Sequence, residues 1–208
     1  MPVSLTNLIL YEMSILIYAA LFLFYYRIGE IERDGRLLII TGVCFIAGIL
    51  TLNGVHQLIW ALLVWQMYND MTTHTVICLP TRLYMAACII YMLVCRLSIS
   101  NLLNTTITIV VVYILSVFRI YASGDAEIFV LLAVTAATTG ENAIIYTMTL
   151  VYLSCIIFIL ELLAVNLVCL LCCFASIIKR RKRHYKIIRR AAMVPAIAFS
   201  YYFLWMMK

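Results

Sequence analysis

The stretch Asn142–Ile178, NAIIYTMTLVYLSCIIFILELLAVNLVCLLCCFASII, decides the class of the fold, and the basic string KRRKRHYKIIRR follows it at Lys179–Arg190. As one helix this stretch would be about 55 Å long, whereas the hydrocarbon core of a bilayer is about 30 Å thick. Its single charged residue is Glu161, and no Gly or Pro near that residue turns the chain. We therefore expect one helix that crosses a membrane and continues beyond it, with two spans divided near Glu161 as the alternative.

The composition of the whole chain agrees with a membrane protein. Of its 208 residues, 66% are hydrophobic and 12% are charged, and the mean hydropathy is +1.10. These values are typical of a polytopic membrane protein rather than of a soluble domain. Eight of the fifteen Lys and Arg residues lie in the basic stretch 179–190. Because a basic cluster beside an apolar helix is typical of the cytoplasmic membrane surface, we expect contact with membrane lipid and no nucleic-acid binding.

The apolar runs predict an all-α fold, a polytopic integral-membrane bundle of about eight transmembrane helices. The predicted helices are Leu8–Tyr26, Leu37–Leu52, Val55–Asn69, Leu79–Leu97, Leu102–Phe118, Glu127–Thr139, Asn142–Ile178 and Ala191–Met207. The first two form an N-terminal membrane region at residues 1–54, and the others form a core at residues 55–208. The expected location is the cell membrane, which the chain crosses several times.

Basic residues at the connections between these helices indicate the orientation of the chain. With the basic stretch inside the cell, alternation of the spans places five further arginines inside: Arg27, Arg33, Arg36, Arg82 and Arg119. Arg96 and Lys208 are left outside. This asymmetry is the one that the positive-inside rule describes.

The eight cysteines do not predict a metal site. Seven lie inside predicted apolar segments, where a thiol behaves as a small apolar side chain. Cys169, Cys172 and Cys173 have a spacing found among metal ligands, but no second pair accompanies them in the sequence. Because burying thiolates in lipid is costly, we expect no metal and no cofactor.

Asp70 and Asp125 are two of only nine acidic residues, and each lies where a long apolar segment meets a short polar one. The orientation places both at the cytoplasmic face, although neither was used to derive it. Two neighbouring carboxylates cannot easily be ionised together, so such a pair supplies one acid and one base for hydrolysis. Because Asp125 precedes a predicted helix and Asp70 follows one, helix polarity predicts that Asp125 is the base and Asp70 the protonated partner.

Three strings between residue 55 and the C-terminus carry a family resemblance. They are Asp70-Met71-Thr72-Thr73-His74-Thr75-Val76, Ala122-Ser123-Gly124-Asp125 and Met193-Val194-Pro195. In order and separation they resemble the sites of the prepilin and preflagellin peptidases, which are membrane aspartyl proteases. The family's first site reads Asp, five residues, then Ile-Pro-Asn; its second is Gly-x-Gly-Asp; and its last helix begins in a proline-containing run. Here Val76-Ile77-Cys78 stands in place of Ile-Pro-Asn, and Ala122 replaces the first glycine.

The resemblance implies a membrane aspartyl endopeptidase that removes the leader of type IV prepilin-like precursors at the cytoplasmic face. Asp70 and Asp125 would be catalytic, while Gly124, His74 and Pro195 would bind the substrate or shape the site. The expected partner is a prepilin-like protein. The alternatives are a non-enzymatic transporter or ion-binding membrane protein, in which the aspartates coordinate a cation or proton, and a degenerate peptidase that serves as a scaffold.

Overall fold

The computed structural model describes residues 5–27, 34–94, 98–178 and 192–207. All regular elements in these ranges are α-helices, which confirms the predicted all-α class. They are α1 (Leu5–Arg27), α2 (Gly35–Thr51), α3 (Val55–Thr73), α4 (Cys78–Val94), α5 (Ile99–Val117), α6 (Ser123–Thr138), α7 (Ala143–Ile178) and α8 (Val194–Met206). The basic stretch 179–190, together with Arg33, Arg96 and Lys208, lies outside the described residues.

Several helix boundaries differ by a few residues from the sequence prediction, and two of these differences concern the aspartates. Helix α3 continues beyond Asn69 to Thr73, and in this last turn the hydroxyl groups of Thr72 and Thr73 donate to backbone carbonyls one turn earlier. Helix α6 begins at Ser123 rather than at Glu127. The two carboxylates therefore project from terminal helical turns instead of from loops.

The long helix expected after residue 142 is confirmed. Helix α7 runs without a break from Ala143 to Ile178, over 36 residues, and passes through Glu161. The alternative with two helices divided near Glu161 is therefore wrong for the folded chain.

Helices α3 and α6 form the buried centre of the bundle. Helix α3 packs against α1, α2 and α8, whereas α6 packs against α4, α5 and α7. Contact between α7 and α8 joins these two groups of helices. Almost every residue of α3 from Ile59 to Asp70 is buried, as is α6 from Asp125 to Ala137, and a helix that is buried on all sides belongs to a core.

Aromatic contacts attach the first two helices to α3. The ring of Tyr18 in α1 stacks on Phe45 in α2, with 4.3 Å between centroids, and Phe22 meets the edge of Tyr68 in α3 at 5.0 Å. The backbone N–H of Asp34, just before α2, donates to the Tyr68 hydroxyl at 3.0 Å. These contacts place α1 and α2 along the core, while the division into regions at residue 54 stays a prediction.

Two of the described helices are long and apolar enough to cross a membrane, namely α5 and the Ala143–Val168 part of α7. They carry large apolar side chains that are exposed, such as Val111, Ile114, Leu160 and Leu163. The core helix of a soluble protein would bury such side chains. Exposed apolar surface of this kind is typical of helices that face lipid or a partner.

Candidate active site

The site begins at the connector between α3 and α4, residues 74–77, which two buried amides of α3 hold in place. Gln66 donates from Nε2 to the carbonyl of Ile77 at 2.6 Å and accepts the Ile77 N–H at 3.1 Å. Asn69 donates to the carbonyl of Thr75 at 2.7 Å. At the end of α3, His74 adopts a left-handed conformation with φ of 54°. The connector therefore turns back along α3 in a fixed conformation.

Val76 in this connector packs directly on Gly124 in the first turn of α6. A Cβ atom placed on Gly124 would lie 2.8 Å from the Cβ of Val76, closer than such atoms approach in proteins. Glycine is therefore required by this close approach between the chain that follows Asp70 and the turn that carries Asp125. The predicted role of Gly124 in shaping the site has a physical basis in this contact.

Asp70 lies in the last turn of α3, and its side chain receives a hydrogen bond from the start of α8. The backbone N–H of Val194 donates to Asp70 Oδ2 at 3.0 Å across most of the length of the chain. The first N–H groups of a helix lack partners within the helix, and a carboxylate is a favourable acceptor for them. Pro195 follows in the first turn of α8, where its missing N–H costs little.

Asp125 lies in the first turn of α6, where its Oδ2 accepts the backbone N–H of Ala122 at 3.2 Å. Its side chain is almost fully enclosed, since the residue is 8% exposed. Burial and the nearby charge of Asp70 raise the pKa of Asp125 to about 6, although the Ala122 N–H acts in the opposite direction. The charge of Asp70 therefore acts on Asp125, while the catalytic role of the pair stays a prediction.

Burial also raises the pKa of Asp70, but more groups oppose that rise. The backbone N–H groups of Val194 and Met193 and the charge of His74 all favour the ionised form of Asp70. More groups that favour the ionised form therefore surround Asp70 than Asp125. The N–H groups at the start of α8 favour Asp70 as the anion, opposite to the assignment from helix polarity, and the assignment of the two roles stays a prediction.

Of the three predicted site-shaping residues, two lie in segments that contact the carboxylates and one does not. Gly124 and Pro195 are parts of the two segments that contact the carboxylates, whereas His74 is exposed and acts on Asp70 through its charge. Sequence reasoning missed Gln66 and Asn69, although two amides three residues apart on an apolar helix could have indicated a shared partner. It also missed the N–H of Val194, because a backbone donor has no signature in the sequence.

A carboxylate pair of this kind can divide the work of hydrolysis when one member is ionised and the other still holds its proton. Comparison of the chain with protein-family models, curated proteins and solved structures found no match. Among the described residues no group of three or more His, Cys, Asp or Glu side chains could hold a metal ion. The chemistry of this site is therefore inferred from Asp70, Asp125 and the backbone around them.

The raised pKa of Asp125 predicts how stability depends on pH. The folded protein holds the proton of Asp125 more tightly than the unfolded chain does. Asp125 therefore stabilises the folded protein fully at a pH below 3.8, the ordinary pKa of an aspartate, and this contribution is lost as the pH rises through about 6. At a pH well above 6 the loss in the free energy of unfolding is about 2 to 3 kcal/mol. We expect Asp125→Asn to raise the melting temperature in detergent at about pH 8, and the gain to disappear near pH 4. A constant gain at every pH would contradict this interpretation.

The close contact at Gly124 predicts a second effect on stability. Gly124→Ala places a Cβ against Val76, so we expect a loss on the order of 1–3 kcal/mol in the free energy of unfolding. In a Val76→Gly background, which lacks the opposing Cβ, the same Gly124→Ala substitution should cost much less. Gly35→Ala is the control, because a Cβ at Gly35 meets nothing within 4 Å. Equal effects of the two alanine substitutions on thermal unfolding would show that the contact is unimportant.

Proposed function

We propose that this chain is a membrane aspartyl endopeptidase that cleaves the leader from prepilin-like precursors. The observation that carries the proposal is the pairing of Asp70 with Asp125, two buried carboxylates from separate helices, the charge of one raising the pKa of the other. Aspartyl hydrolysis requires such a pair, because one group must accept a proton while the other donates one. The resemblance of the three strings around Asp70, Asp125 and Pro195 to prepilin peptidases adds the substrate class.

The environments of the two carboxylates support a specific division of labour. Ionised Asp70 removes a proton from a water molecule, whose oxygen attacks the scissile carbonyl carbon, while protonated Asp125 gives its proton to the carbonyl oxygen. The resulting gem-diol collapses when Asp70 passes its proton to the leaving nitrogen and Asp125 recovers a proton from a hydroxyl group. The carbon–nitrogen bond breaks, and both carboxyl groups return to their starting states.

The membrane setting of the proposal is supported by the exposed apolar surfaces of α5 and α7. We infer that the chain is a multi-pass protein of the cell membrane and that lipid covers these surfaces. Arg82 and Arg119 lie in the chain near the same helix ends as the two aspartates, at the starts of α4 and α6. The positive-inside rule then favours a cytoplasmic site, where a basic leader can reach the carboxylates while its apolar segment stays in the membrane.

Leader removal by purified variants tests the proposal. We expect Asp70→Asn and Asp125→Asn each to lower the rate of cleavage of a prepilin-like precursor by at least about 10³-fold, because neither retains a complete acid–base pair. Asp34→Asn is the matched control, since Asp34 is the third aspartate of the chain and caps α2 by accepting the N–H groups of Arg36 and Leu37. Asparagine is also a good N-cap, so this variant should keep its activity.

The measurement is the amount of mature product resolved by mass spectrometry, with wild-type protein in the same detergent or lipid. Full leader removal by either Asp70→Asn or Asp125→Asn would rule out the proposed chemistry. Wild-type protein that binds the precursor without cutting it would instead identify a scaffold and would also contradict the proposal.

A further inference from the structure

A second acidic residue lies two positions after Asp125, and it is paired with a basic residue of another helix. Glu127 in α6 is 5% exposed, and its Oε1 accepts hydrogen bonds from Arg82 in α4, at 3.1 Å from Nε and 2.6 Å from the terminal nitrogen. Its Oε2 is buried, and the side chain of Tyr113 in α5 is a further hydrogen-bonding partner of Glu127. Arg82 is therefore the main partner of a carboxylate that the apolar interior would otherwise disfavour.

The ion pair of Arg82 with Glu127 lies beside the two segments that form the candidate site. Glu127 and Asp125 share the first turns of α6, while Arg82 follows the connector 74–77 by one turn of α4. The same short segment that places Val76 against Gly124 therefore places Arg82 against Glu127. Residues that are two apart on a helix point to different sides. Glu127 faces α4, and its charge acts on Cys78 and Tyr113.

We propose that Arg82 and Glu127 are positioning residues that fix the first turn of α6 against α4 and so hold Asp125 beside Asp70. This inference rests on the proposed function for its catalytic consequence. Asp70 is held independently, since its carboxylate binds the N–H of Val194 in α8. Loss of the ion pair would therefore release one carboxylate and leave the other in place.

Repulsion between Asp70 and Asp125 explains why loss of the Arg82–Glu127 ion pair would matter. Asp70 and Asp125 repel each other when both are charged, so the turn that carries Asp125 is pushed away from α3 unless something opposes the push. The contact of Val76 with Gly124 resists approach but does not resist separation. The charge-assisted hydrogen bonds from Arg82 to Glu127 do resist separation, because they join the two segments directly.

The kinetic test uses Glu127→Leu and Arg82→Gln, with Glu127→Gln as the conservative variant. We expect the first two to lower kcat by about 10- to 100-fold, because a small displacement of a catalytic group has effects of that size. KM should stay within about twofold, because a positioning role changes the alignment of Asp125 rather than the binding of the precursor. Glu127→Gln should keep most of the activity, because its amide oxygen can accept the same hydrogen bonds. Arg36→Gln is the control for the loss of an exposed arginine near the start of another helix.

A second measurement does not depend on peptidase activity. At about pH 8, where repulsion between the carboxylates is largest, Asp70→Asn and Asp125→Asn should each raise the melting temperature. Together they should raise it by less than the sum of their separate effects, because either change alone removes the mutual repulsion. In a Glu127→Leu background we expect this difference from additivity to shrink by at least about half, as the carboxylates move apart.

The two measurements distinguish the possible failures. If no variant, including wild-type protein, cleaves a precursor, the proposed function fails, whereas the melting-temperature cycle still tests the positioning role. Undiminished non-additivity in the Glu127→Leu background would overturn the positioning role, and so would wild-type kcat in both Glu127→Leu and Arg82→Gln. Reduced non-additivity together with reduced kcat and unchanged KM is the result that supports it.

Discussion

Two carboxylates buried at one end of an apolar bundle repel each other, and the surrounding helices have to hold them together. Asp70 accepts the N–H of Val194 at the start of α8, whereas Asp125 accepts the N–H of Ala122 within its own turn, and that turn is joined to α4 by the pair of Arg82 with Glu127. Their helices belong to different halves of the bundle, which α7 and α8 join. The position of the pair therefore depends on contacts between segments that are distant in sequence.

The helical class and the long α7 were predictable from the sequence, because apolar runs of this length have few other structures available. The end of α3 was not, since Thr72 and Thr73 look like loop residues until their hydroxyl groups bond back to the helix. The pairing of the two aspartates was predicted from topology alone. The hydrogen bond from the Val194 N–H to Asp70 was not predictable, because a backbone donor has no signature in the sequence.

The replacement of Ile-Pro-Asn by Val76-Ile77-Cys78 has a structural counterpart. Ile77 offers both of its backbone groups to Gln66, including an N–H that a proline at this position would lack. Val76 fills the space that Gly124 leaves open. The connector thus fixes the turn after Asp70 through Gln66 and through the contact of Val76 with Gly124.

Direct titration of the aspartates tests the coupled pair most directly. The chain has three aspartates, Asp34, Asp70 and Asp125, so labelling with carboxyl-¹³C aspartate gives three signals that single Asn variants assign. The account predicts that Asp125 titrates with a midpoint of about 6 and that Asp70→Asn lowers this midpoint. A midpoint of Asp125 near its ordinary value of 3.8, unchanged by Asp70→Asn, would contradict the account.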